Sequence, residues 1–196
     1  MHFKVLFSFA ICLFLLITSC KNSSTKKTEL SPENTVLVHD KYGEIRVPKN
    51  PKRVVVYTYQ ALDIMKDLGV SNHVIGFSKS NTPDYLKEFK ADPSLLDFGG
   101  TKEPNFEKIN EANPDLIIIE HRVEKDRDEL LKIAPTLYID VDYNDYIGSI
   151  RKNTETLAKV FGVEEKGAEV IREMDRVIED NKAHTDDQQK ALIVMV

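Results

Sequence analysis

The 196-residue chain has no tryptophan and only two cysteines, Cys12 and Cys20. Cys12 falls in an N-terminal apolar run that reads as a discarded segment, so the mature chain has no pair with which to form an internal disulfide. There is no basic block: the lysines are spread along the chain and the formal net charge is -5. Nucleic-acid binders carry a basic footprint, so that partner class is excluded. No internal repeat and no glycine-rich phosphate loop occur. No nucleophile elbow or Ser-His-Asp grouping occurs either, and no nucleophile can be matched to a base, so an enzyme reading has no support. The five histidines stand far apart, without the paired spacing of a zinc site, so neither a metal site nor a cofactor is expected. What is present is 41% hydrophobic and 30% charged, the balance of a soluble globular protein with a substantial core. The length suits one domain, or one domain and part of a partner lobe.

Residues 5–17 are apolar except for Ser8 and follow Lys4. That is the length of a signal-peptide core and too short for a comfortable membrane span. The sequence Ile17-Thr18-Ser19-Cys20 follows at once and resembles a bacterial lipobox. Residues 1–19 are therefore expected to be a lipoprotein signal, with Cys20 lipidated and the protein anchored in the cell envelope. Residues 20–34, rich in Lys, Ser, Thr and Asn, read as a disordered tether.

A hairpin is expected where Val36-Leu37-Val38-His39 and Glu44-Ile45-Arg46-Val47 flank Tyr42-Gly43. Beyond the break at Pro48 and Pro51, three continuous apolar runs read as strands buried on both faces: Val54-Val55-Val56, Val74-Ile75-Gly76-Phe77 and Leu116-Ile117-Ile118-Ile119. A fourth is expected over 136–139. Helical spacing separates them over 60–68, 83–89 and 126–133, and Asn105 suits a helix N-cap after a tight turn at Gly99-Gly100. Strand-helix alternation over 35–142 predicts a doubly wound α/β lobe. Residues 143–184 read as helical, with a buried stripe at Ala168, Ile171, Met174 and Ile178, and residues 190–196 as one further strand. Ligands of open α/β sheets bind at the carboxyl ends of strands, which singles out Arg122. Continued strand alternation would put His121 on the opposite face, and a solvated pairing of Arg122 with Glu124 or Asp126 is the competing expectation.

Taken together, Pro51-Lys52-Arg53-Val54, Leu68-Gly69-Val70, Glu103-Pro104-Asn105-Phe106-Glu107, Pro114-Asp115-Leu116-Ile117, Leu130-Leu131-Lys132-Ile133-Ala134-Pro135 and Asn153-Thr154-Glu155-Thr156-Leu157 resemble the iron-siderophore substrate-binding lipoproteins of ABC importers, the class III periplasmic binding proteins. The Tyr42-Gly43 hairpin, Glu103-Pro104 and the Arg after the third strand are most like the catecholate and petrobactin branch. The resemblance implies two α/β lobes joined by a long helix. It further implies that this chain holds the N-terminal lobe, that helix and the first strand of a second, truncated lobe.

The resemblance also implies roles. Arg122 matches a cleft arginine, Lys79 matches a lysine after the second strand, and Tyr59 and Gln60 are lining candidates. Glu107 matches the residue that docks a first lobe onto the ABC permease. The expected cargo is a ferric siderophore of catecholate type, bound by a monomer. Haem or cobalamin on the same fold, or a truncated lipoprotein serving only protein-protein contact, are the alternatives.

Overall fold

β-Branched side chains crowd a helix and pack well on a pleated sheet, and the runs of Val and Ile form strands accordingly. The computed structural model describes residues 32–185. The signal over 1–19, Cys20, the tether up to residue 31 and the strand over 190–196 lie outside the described residues. A 3₁₀ turn at Pro32–Asn34 occupies the expected end of the tether.

Strands β1 (Thr35–Asp40) and β2 (Gly43–Pro48) pair antiparallel, with Asp40 opposite Gly43 across a two-residue turn. There follow β3 (Val54–Val56), α1 (Tyr59–Asp67), β4 (Val74–Phe77), α2 (Lys87–Ala91) and β5 (Leu96–Asp97). A small ladder of β6 (Gly99–Gly100) and β7 (Glu103–Pro104) leads to α3 (Phe106–Glu111). The tight turn therefore falls at Thr101-Lys102, and the expected turn residues Gly99-Gly100 form one side of a ladder. The chain continues through β8 (Leu116–Ile119), α4 (Arg127–Ile133), β9 (Thr136–Tyr138), α5 (Tyr146–Phe161) and α6 (Glu164–Ala183).

Five parallel strands form one sheet in the order β5-β4-β3-β8-β9. Alternation sends Val54, Val56, Leu116 and Ile118 to one face, where they meet Leu62 and Met65 of α1 and Leu157 and Phe161 of α5. Val55, Tyr57, Ile117 and Ile119 go to the other, against Ile109 of α3 and Leu130 of α4. With helices on both faces, the sheet is doubly wound, as the uninterrupted apolar strands predict. Each fully buried Leu or Ile contributes about 1.5–3 kcal/mol.

The hairpin is fastened to the sheet edge by a buried carboxylate. Asp40 accepts the backbone N–H of Tyr42 at 2.7 Å on Oδ1 and that of Tyr138 at 3.1 Å on Oδ2. Arg127 lies 3.9 Å over the Tyr42 ring, which meets Tyr138 edge-on. At the other end, α5 stops at Gly162, whose φ of 69° is a conformation glycine adopts at little cost. The chain doubles back so closely that a Cβ on Gly167 would lie 2.6 Å from the Ala158 methyl. The stripe on α6 is less covered than its spacing suggests. Ala168 is exposed, Ile171, Met174 and Ile178 are half-buried, and Gly167 is the buried residue of this helix. Among the described residues no helix is long and apolar enough to cross a membrane.

Candidate functional site

The chain leaves β3 toward β4 and β5 on one side, then returns to β8 and β9 on the other. The direction of winding reverses between β3 and β8. The carboxyl ends of those two strands therefore diverge into separate loops and leave a crevice, the usual ligand site of such sheets. Tyr59 and Gln60 follow β3, and Glu120, His121 and Arg122 follow β8, so the sequence-named Arg122, Tyr59 and Gln60 stand just beyond these two neighbouring strand ends.

Tyr57 is buried just below the rim and donates its hydroxyl to the carbonyl of Phe98 at 2.6 Å. Burial, and then the field of Asp97, push its phenol well above the ordinary tyrosine value, so it stays a neutral donor. Thr58, extended at φ -133°, ends the strand and begins α1. Half-buried Tyr59 donates to the carbonyl of Ser78 at 3.1 Å, which ties the β3 and β4 ends together. Burial raises its phenol. Hydrogen bonding from Ser78 and Thr82 opposes this, and Glu120 and Arg122 act on it with opposite signs across the crevice.

Lys79 is turned along the sheet edge. Its Nζ donates to the carbonyl of Asp92 at 2.8 Å and its backbone N–H to Asp97 Oδ1 at 3.2 Å. Its ammonium is thus engaged away from Arg122.

After β8, Glu120 is still extended, but His121–Asp126 forms a 3₁₀ turn. The strand alternation expected to separate His121 from Arg122 does not apply, because β8 ends at Ile119, its last pairing position with Tyr138 of β9. Arg122 Nη1 meets Glu120 Oε1 at 2.8 Å, and neither expected partner holds it. Glu124 is taken by Lys41 at 2.5 Å and by the Tyr42 hydroxyl at 2.7 Å. Those two hydrogen bonds, Lys41 first, hold the Glu124 carboxyl below its ordinary range, and Tyr42 is in turn pushed up to about 12 by burial and by Glu124.

Asp140, just beyond β9, ties the rim together and was not foreseen. Its Oδ2 meets His121 Nδ1 at 2.9 Å and accepts the Tyr138 hydroxyl at 2.9 Å. Its carbonyl accepts Asn153 Nδ2 at 2.7 Å, and the same nitrogen reaches Gln60 Oε1 at 3.2 Å. Gln60 Nε2 is buried with no hydrogen-bond partner. The signal for Asp140 was present: it ends an apolar strand as Glu120 does, and the strand-end rule applied to Arg122 also points to it. Glu120, His121 and Asp140 bring one donor atom each to within 4.8 Å of one another, a grouping that spacing along the chain does not display. A cleft of about 770 Å³ opens beside this rim, between the hairpin tip and the first turns of α5, lined by Lys41, Tyr138, Asp140, Tyr143, Lys152 and Asn153. It adjoins the crevice through Asp140 and Asn153, while Arg122, Lys79, Tyr59 and Gln60 lie outside its lining. Glu107 stands apart in the first turn of α3, which Asn105 caps by accepting the N–H of Lys108 at 3.0 Å. Its side chain is exposed, with no ion pair among the described residues.

With this geometry in place, comparison with known proteins gives a consistent result. The family model described as periplasmic binding protein matches residues 54–196. The chain is 38% identical over 179 residues to the petrobactin-binding protein YclQ of Bacillus subtilis, covering 91% of this chain and 55% of that protein. The crystal structure of YclQ superposes with a TM-score of 0.72 at 39% identity, over 74% of this chain and 52% of that one. The periplasmic catecholate-siderophore binding protein VctP of Vibrio cholerae gives 0.67 at 33% identity, over 76% and 55%. The chain thus spans little more than half the length of the relatives it matches.

Proposed function

Because the chain belongs to the periplasmic binding protein family, we propose that it binds a ferric siderophore of catecholate type outside the cytoplasmic membrane, for delivery to an ABC importer. The observation that carries this reading is the convergence of Arg122 and Tyr59 on the crevice between β3 and β8. Ferric catecholates are compact, aromatic and strongly anionic. A guanidinium suits them because it donates forked hydrogen bonds to oxygen and stacks on aromatic rings. In this reading Arg122 contacts the cargo oxygens. Tyr59 and Gln60 line the crevice. Lys79 supplies positive field from the side rather than a direct contact, since its amine is engaged with Asp92.

Residues 35–142 then act as one lobe of a two-lobed site, with α6 as the strut toward a second lobe. Glu107, exposed on α3, docks on the permease, and Cys20 carries the lipid anchor. Relatives named for petrobactin and for catecholate siderophores support the choice of cargo. With no tryptophan, the seven tyrosines provide the fluorescence signal. Saturable quenching of tyrosine emission by ferric tris-catecholate is expected. A response to haem and none to any ferric catecholate would overturn the reading.

A further inference from the structure

Arg122 is already paired with a carboxylate in the crevice. Its Nη1 lies 2.8 Å from Glu120 Oε1. Glu120 is the enclosed partner, its side chain 12% exposed against 54% for Arg122. The pair is local: an extended Glu120 followed at once by the 3₁₀ turn folds residue 122 back toward residue 120. It can therefore open and re-form without disturbing the sheet. Only Nη1 is engaged among the described residues, so the other guanidinium donors remain open to incoming oxygens. The neighbouring base is occupied too, His121 by Asp140 at 2.9 Å. Two carboxylates, Glu120 and Asp140, thus stand beside the single guanidinium of Arg122. An incoming anion must compete with the carboxylate that already holds this guanidinium.

Resting on the siderophore reading above, we propose that Glu120 is a specificity-determining residue. It acts as an internal counter-anion to Arg122, reserving the crevice for cargo anionic enough to compete for the guanidinium. Glu120 acts through Arg122 and the local field and makes no contact of its own with the cargo.

The test compares the purified chain with Glu120→Gln by tyrosine-fluorescence titration with ferric tris-catecholate, a trianion. The variant is expected to bind several-fold more tightly at low salt. That gain should shrink at about 1 M NaCl, where the Debye length falls to about 3 Å and the field of Glu120 on the approaching trianion is screened. An unchanged or weaker affinity overturns the proposal, and so does a gain undiminished at high salt, which marks a structural effect. Quenching of neither protein overturns both this inference and the siderophore reading, whereas failure of the inference alone leaves the wild-type titration intact. A second measurement needs no variant. On adding gallium tris-catecholate, the diamagnetic counterpart, the Glu120 carboxylate-carbon and Arg122 Nε resonances should shift together. A shift of Arg122 alone, or of neither, overturns the proposal.

Discussion

Arg122 reaches over half of its side-chain surface into solvent while one of its nitrogens rests on Glu120. A contact this exposed is screened, so its loss is worth less than that of a buried charge pair. Arg122→Ala should weaken ferric tris-catecholate binding roughly tenfold, about 1.4 kcal/mol. An unchanged dissociation constant would remove Arg122 from the site. Glu124 is coupled to folding rather than to cargo. Hydrogen bonds from Lys41 and Tyr42 depress its carboxyl in the folded chain. A depressed acid stabilises the fold above its unfolded value, and that stabilisation is lost as pH falls through the folded value. Wild type should therefore melt above Glu124→Gln at pH 7. The difference should close on acidification through the region just below the ordinary carboxylate range. A difference independent of pH would contradict the assignment.

Helices α5 and α6 meet where glycine leaves no room for a methyl. In an exposed helix Gly→Ala is favourable by about 0.5–1 kcal/mol, but at Gly167 the new Cβ would press on Ala158, and overpacking costs about 1–3 kcal/mol. Gly167→Ala should lower the urea-unfolding free energy by about 1–2 kcal/mol, and adding Ala158→Gly should recover part of the loss. No loss would mean that the two helices can separate freely. The same elements show what patterning along a chain can reveal. Val54–Val56 and Leu116–Ile119 announce buried parallel strands because both of their faces are covered, and Asn105 announces a cap because its side chain has one evident use. The two-residue edge strand Leu96–Asp97 is exposed and carries no pattern to read. The turn at His121 is invisible for another reason. It depends on where β8 runs out of partner on β9, a tertiary fact, and the alternation rule runs on past that point. The α6 stripe has helical spacing, but spacing does not say how fully a stripe is covered.

The described chain is built around one doubly wound five-stranded sheet with its reversal of winding between β3 and β8, and its candidate site is a rim of loops rather than an enclosed pocket. Arg122 was legible as a strand-end cation. The same strand-end rule marks the position of Asp140 but not its bonding, because its partners His121, Tyr138 and Asn153 come from three different elements. The chain spans little more than half of its relatives' length, and the siderophore reading fixes the place where cargo settles on it. Ferric iron is paramagnetic and broadens nearby amide signals. An amide NMR titration of the chain with ferric tris-catecholate should therefore bleach residues 58–60, 78–80 and 120–122 first and spare the C-terminal turns of α6. Broadening centred on α6, or spread evenly with no focus at the β3 and β8 ends, would contradict a siderophore site at this crevice.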